Sequence, residues 1–267
     1  MSRSTTTTAD DALLLLLRTL KLPGFVAHHV ELGRRAEKES WGFVAYLRAL
    51  CEVEIEERRQ RRIERIVATS SVPADKTMAT LDQQRLPAKV RRQLPALAEG
   101  GFIERAENIL CFGLPGRGKT HLCCAVAHEL MLRGYRVLFA PTFHLVQRLL
   151  QAKRDLDLAT ELKRLDHFDV VVLDDIGYVQ QDREEMEVLF TFLAERYERK
   201  SVMITSNLVF SQWDRIFKDA MTTAAAIDRL VHHAIILELT GDSYRTDAAE
   251  KKNKGKAKSE ESTDREE

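Results

Sequence analysis

Residues Gly113-Leu114-Pro115-Gly116-Arg117-Gly118-Lys119-Thr120 satisfy the pattern G-x-x-x-x-G-K-[ST] at every position. An apolar run, Asn108 to Phe112, leads into them, and His121 to Leu130 follows with the composition of a helix. Strand, glycine loop and helix in that order make a phosphate cradle. The glycines let backbone N–H groups turn inward, and the helix N-terminus favours negative charge. In this reading Gly113 to Thr120 bind the triphosphate of ATP, Lys119 reaches the β- and γ-phosphates, and the Thr120 hydroxyl serves Mg2+.

A second signal lies downstream. Val170-Val171-Val172-Leu173 ends in Asp174-Asp175, an apolar strand that delivers two acids at its C-terminal edge. Such a strand end is where a P-loop enzyme holds magnesium, so Asp174 is the expected metal-shell acid. Asp175 stands where a carboxylate can polarise attacking water. A fourth apolar run ends Thr205-Ser206-Asn207, and a neutral amide at Asn207 can orient water or touch the γ-phosphate without adding charge. Asp228-Arg229-Leu230 precedes the last apolar run. Arg229 could reach a neighbouring subunit's nucleotide, and a salt bridge with Asp228 or Glu238 is the competing role on residues alone.

Five apolar runs, near 109–112, 136–140, 170–173, 202–205 and 235–239, alternate with helical patterns over 120–133, 142–152 and 184–199. This alternation predicts an α/β P-loop NTPase with a parallel sheet covered by helices on both faces. The 267 residues leave room for a smaller all-α N-terminal module before that core. The expected division is a disordered leader at 1–9, the helical module at 10–80, the ATPase core at 81–245 and a disordered tail at 246–267. The tail's charged residues are interrupted only by small or polar ones, so it cannot bury a core.

Within the N-terminal module, the pattern predicts helices from Asp10 or Asp11 to about Leu20, from Phe25 to Lys38, and onward from a cap at Ser40. In the third, Phe43/Val44, Leu47, Leu50/Cys51 and Ile55 recur at helical spacing, an apolar stripe expected to pack within the module. Its end carries five arginines against one glutamate over residues 58–65, a local charge of +4. Arg58, Arg61, Arg62 and Arg65 share a face. They suit either phosphate contacts on DNA or pairing with the preceding acids Glu52, Glu54, Glu56 and Glu57. A second basic cluster holds Arg85, Lys89, Arg91 and Arg92.

The formal charge of the whole chain is +0, so only local patches can argue for nucleic acid. Cys51, Cys111, Cys123 and Cys124 form no C-x-x-C pair and read as buried thiols of a reducing compartment. The five leucines from Leu13 to Leu17 are too few to span a membrane and have the wrong flanks for a signal peptide. A cytoplasmic protein is expected.

The ordered motifs resemble those of IstB-type transposition helper ATPases, in the AAA+ branch that also holds DnaC helicase loaders and DnaA initiators. The resemblance runs from about Leu13 to Arg245. It is carried by Leu20 to Gly24, the phosphate loop, Val-Val-Leu-Asp-Asp-Ile-Gly, Glu195 to Arg199, Thr-Ser-Asn, Ser211 to Asp214, Asp228 to His232 and Gly241 to Arg245. It implies an ATPase that assembles as a homo-oligomer on duplex DNA and acts with a partner transposase. It also implies that Arg229 is a finger acting in trans, that Asn207 is the sensor, and that the N-terminal helices touch DNA. A DnaC-like helicase loader is the alternative, and a small-molecule kinase would need a substrate pocket and lid. Two departures stand out. Asp175 replaces the glutamate usual in AAA+ proteins, and little sequence after Leu239 remains for a full C-terminal lid.

Overall fold

The computed structural model describes residues 4–178, 183–208, 213, 228 and 230–240. Arg229, the closing motif Gly241 to Arg245 and the charged tail lie outside them, as does the motif Ser211 to Asp214 apart from Trp213. The chain divides into two compact units, 1–65 and 66–267. Among the described residues no helix is long and apolar enough to cross a membrane.

The first unit is helical: α1 (Ser4–Thr19), α2 (Pro23–Glu39) and the first part of α3 (Phe43–Ser70). Pro23 sits in the first turn of α2, where its missing N–H costs nothing. The expected cap at Ser40 is corrected. Ser40 ends α2 instead, in the left-handed conformation (φ 54°), and the Trp41 N–H bonds back to the Ala36 carbonyl at 2.8 Å. That closure satisfies carbonyls the helix end would otherwise orphan. Helix α1 likewise begins at Ser4, before the expected Asp10 or Asp11, so residues 4–9 are helical, not a frayed leader.

The expected apolar stripe of α3 is also corrected. Phe43, Val44, Leu47 and Ile55 are exposed, and of that set only Leu50 is buried. The helix turns a more polar face inward because α2 offers it polar partners. The Tyr46 hydroxyl donates to the His29 carbonyl (3.0 Å), His28 meets Glu57 (3.0 Å), and the Gly24 N–H donates to Glu54 (2.7 Å). Gly24 is needed there, since a Cβ would lie 2.9 Å from a Glu54 carboxylate oxygen and 3.0 Å from its Cα. The carboxylate thus accepts from the N-terminal turn of α2, where the helix field favours an anion.

Glu54 is buried, which pushes its carboxyl up. Bonds from Arg58 and Gly24, and the charges of Arg58 and Arg61, outweigh burial and hold it below the usual glutamate range. A depressed carboxyl stabilises the fold above its unfolded pKa, and that contribution is lost as pH falls through the folded value. Glu54→Gln is expected to cost the first unit about 1–2 kcal/mol near neutrality, discounted because Arg58 is half exposed. Helical circular dichroism in denaturant checks it, and the gap from wild type should close under acid.

The second unit carries a five-stranded parallel sheet in the order β2-β3-β4-β1-β5. The strands are β1 (Asn108–Phe112), β2 (Val137–Pro141), β3 (Val170–Asp174), β4 (Ser201–Ser206) and β5 (Ala234–Glu238). Alternate side chains enter two separate cores, as a sheet covered on both faces requires. Leu110, Val171, Leu173 and Ile204 face α7 (Thr142–Arg154), α8 (Leu158–Asp166) and α9 (Arg183–Arg196). Ile109, Cys111, Val170, Val172 and Met203 face α4 (Ala88–Glu99) and α6 (Lys119–Leu132), with the four-residue α5 (Gly101–Glu104) beside them.

This unit begins at Ile66, earlier than the expected boundary at residue 80. The segment after α3 packs on the core of this unit: Val72, Met78 and Leu81 join the α4–α6 cluster. His128 meets the Pro73 carbonyl (3.0 Å) and His121 meets Thr80 (3.1 Å). Arg196, from the motif Glu195 to Arg199, is buried and donates to the carbonyls of Leu165, Phe168, Asp169 and Ser201. Desolvation pushes its guanidinium down to about 10, so it stays charged at neutral pH. It ties α9 to the entrance of β4.

Candidate functional site

Strand order decides what can meet. Placing β1 between β4 and β5, and β3 beside β4, brings the ends of three strands around the glycine loop. The loop leaves β1 at Gly113, whose N–H donates to the Ser206 carbonyl at 3.2 Å. A Cβ at Gly113 would lie 2.7 Å from the Leu239 carbonyl oxygen, so only glycine lets the loop pass between β4 and the exit of β5. Gly116 and Gly118 hold left-handed conformations (φ 79° and 83°), which turn the chain into the first turn of α6. Trp213 is buried beside Phe112, with ring centroids 6.2 Å apart, and its indole N–H donates to the Leu208 carbonyl. It backs the strand end from which the loop departs.

Lys119 opens α6 and is largely buried. Its ammonium donates to the carbonyls of Gly113 (2.7 Å) and Leu114 (3.1 Å), lying back along its own loop. The Thr120 hydroxyl donates to Asp174 Oδ1 at 2.9 Å, joining the loop to the end of β3. Sequence reasoning proposed Thr120 and Asp174 as one metal pair, and the fold brings them together.

Thr205 was missed by sequence reasoning. Its hydroxyl donates to the same Asp174 Oδ1 at 2.7 Å and accepts from the Asp175 N–H at 2.8 Å. Asp175 adopts a left-handed backbone (φ 63°), a conformation costing about 1–2 kcal/mol for most residues and tolerated best by Asn and Asp. The Thr205 bond steadies that turn. The Thr142 hydroxyl adds a bond to the Asp174 carbonyl (2.9 Å). The parallel register pairs Leu173 with Ile204, so the next residues, Asp174 and Thr205, fall side by side. That register could have revealed Thr205, but the sequence does not print it. Thr205→Val, which keeps shape and removes the hydroxyl, is expected to lose about 1–3 kcal/mol in denaturant unfolding, and Thr205→Ser to restore most of it.

Gly177 is a second residue sequence reasoning did not single out. A Cβ there would collide with the Asn207 side-chain oxygen. Asn207 therefore presses against the turn that follows Asp175. Its Oδ1 is buried and has no hydrogen-bond partner among the described residues. A buried acceptor of this kind is costly without a ligand or water to meet it.

Cys111, Cys123 and Cys124 are buried as expected, but Cys51 is exposed, which corrects the expectation for that residue. Burial, with the Asp174 charge beside it, pushes Cys124 up to about 12.

Among the arginines expected at DNA, Arg58 and Arg61 have short bonds within their own unit. Arg58 donates to Glu54 (2.6 Å) and to the Lys21 carbonyl (2.7 Å), and Arg61 to Glu57 (3.2 Å). Arg62 and Arg65 are exposed, as are Lys89, Arg91 and Arg92 on α4.

A parallel sheet in this order, a phosphate loop after β1, paired acids at the end of β3 and an asparagine after β4 define a P-loop nucleotide-binding domain of the AAA+ type. Solved structures agree on the fold. DnaI matches with a TM-score of 0.54 at 22% identity, over 64% of this chain and 96% of that one. The replication initiator DnaA bound to AMPPCP and single-stranded DNA matches with 0.55 at 18%, over 65% and 52%.

Sequence comparison narrows the class. Residues 15–254 match the family described as IstB-like ATP binding protein. A Sinorhizobium fredii protein is 42% identical over 91% of this chain and 82% of its own length. A Pseudomonas aeruginosa protein of insertion sequence IS21 is 36% identical over 86% and 87%. Both are named for an insertion sequence and, provisionally, for ATP binding. The chain belongs to the IstB-like ATP-binding family.

The residues fit a nucleoside triphosphate with its cation. The left-handed glycines open the loop, Lys119 waits on weak carbonyl partners, Thr120 and Asp174 present oxygen donors, and Asn207 holds an unmatched acceptor.

Proposed function

We propose that this protein is an ATP-hydrolysing helper of DNA transposition, assembling as a homo-oligomer on duplex DNA and acting with a transposase. The observation that carries the reading is the Thr120–Asp174 bond at 2.9 Å, set in a chain of the IstB-like family. In this reading Gly113 to Thr120 wrap the phosphates with backbone N–H groups. Lys119 exchanges its two carbonyl partners for β- and γ-phosphate oxygens, a stronger charge-assisted pairing. Thr120 and Asp174 would hold Mg2+, which would supply charge neutralisation and phosphate alignment.

Asp175, steadied by Thr205, takes the proton of the attacking water. It is one methylene shorter than the glutamate usual in AAA+ proteins, so turnover is slow. Asn207 positions that water against the γ-phosphate. Arg229 completes the site from the neighbouring subunit, where it stabilises charge on the transferred phosphoryl group. Duplex DNA is held through phosphate contacts by the exposed Arg62 and Arg65, with Arg58 and Arg61 adding positive field from their ion pairs.

The relatives named for insertion sequences support the transposition assignment, while the likeness to DnaI concerns the fold. Phosphate release, measured without any acceptor substrate, tests the reading. Stimulation by duplex DNA is the expected result. Stimulation by single strands alone would favour a helicase loader, and no release under any DNA condition would remove the ATPase.

A further inference from the structure

Away from the nucleotide, Glu198, His232 and His233 bring one carboxylate oxygen and two imidazole nitrogens within 4.8 Å of one another. We propose that these three side chains form a binding site for a divalent transition-metal ion of the zinc class. Two imidazoles and a carboxylate are the donor set such ions select, whereas magnesium and calcium favour all-oxygen shells.

The geometry is close to what the ion needs. His233 Nε2 lies 3.6 Å from Glu198 Oε1. A tetrahedral ion with bonds of about 2.0–2.1 Å sets its ligands roughly 3.4 Å apart, so this pair is already near the spacing an ion needs, and His232, within 4.8 Å of both, closes the site by a larger side-chain movement. The two histidine rings stand edge to face with centroids 4.1 Å apart. The Tyr197 hydroxyl meets His232 Nδ1 at 3.1 Å, an outer partner of the kind that orients metal-binding imidazoles. All three ligands are exposed, which gives the ion an entry path and leaves water to complete its shell.

The supporting backbone is tied down. The Asn108 N–H donates to the His233 carbonyl at 2.7 Å, and the His232 N–H to Asp228 at 2.9 Å. Glu198 sits in the turn after α9 with a left-handed backbone (φ 54°), and the Lys200 N–H bonds back to Arg196. A bound ion would therefore fasten the turn after α9 to the turn entering β5. That restrains the residues immediately following position 229.

Zinc titration of the full chain against a chromophoric chelator tests the site. Cys51→Ser serves as background, because that exposed thiol competes for the ion. One zinc ion per chain is expected. His232→Ala combined with His233→Ala should abolish its uptake, and Tyr197→Phe should weaken it about 10-fold. The metal-free variants should melt as the background protein does. Cobalt substitution should give a visible d–d band without a near-ultraviolet thiolate band. No uptake by the background protein, uptake unchanged in the paired histidine variant, or a thiolate band would overturn the proposal.

Discussion

Lys119→Ala is expected to lower ATP affinity by about 100-fold or more while leaving the fold intact. The argument begins with what the ammonium does now. It rests on the carbonyls of Gly113 and Leu114 at 2.7 and 3.1 Å, within its own loop. A triphosphate offers it charged oxygens instead. Bonds to charged partners are worth about 1.5–3 kcal/mol each, and each 1.4 kcal/mol is tenfold in affinity. Removing the ammonium thus removes the loop's buried positive charge without emptying the core, since the apolar face of α6 is made by Leu122, Val126 and Leu130. Calorimetric titration with ATP, beside thermal melting of the same variant, separates lost binding from lost folding.

Arg229→Ala is the second large effect. The proposed finger role predicts normal ATP binding and a loss of hydrolysis of about 10³-fold or more. The residue that follows it is anchored. Leu230 is buried in the core, and its carbonyl accepts from the Asn108 side chain at 3.2 Å. Mixing distinguishes a finger from a salt bridge within one chain. Lys119→Ala subunits keep the finger, and Arg229→Ala subunits keep the nucleotide loop. Combined, they should recover part of the hydrolysis that each lacks alone. A mixture as inactive as its components would assign Arg229 to a bond within its own subunit.

The sheet was legible in the sequence because its strands are continuous Val, Ile and Leu runs buried on both faces. Each expected strand falls within about one residue of the observed one. The loop and the Asp174 pair were legible for a similar reason, since their function demands fixed residue types at fixed local spacing. What escaped depends on partners distant in sequence. Thr205 belongs to the site only because β3 and β4 run parallel in one register. Gly177 matters only because Asn207 lies against it. The inward face of α3 could not be read from apolar spacing, because a buried carboxylate, Glu54, sits at its centre and serves Gly24 on another helix. Ser40 carried a capping residue's chemistry, and local preference alone does not say which of two adjacent helices it closes.

Arg58 and Arg61 teach a related lesson about charge. Their helical spacing was read correctly, yet each has a carboxylate one turn earlier, and the folded unit uses those pairings. Charge runs identify a face, while the partners on that face decide how much of the field is left for a phosphate ligand.

The central claim is that ATP bound at this loop builds an assembly on duplex DNA. Sedimentation of the full chain, with and without a duplex and with and without a slowly hydrolysed ATP analogue, tests it most directly. The account predicts a multimeric protein–DNA particle only when nucleotide and duplex are both present, and its loss in Lys119→Ala. A particle of the same size with and without nucleotide would contradict it.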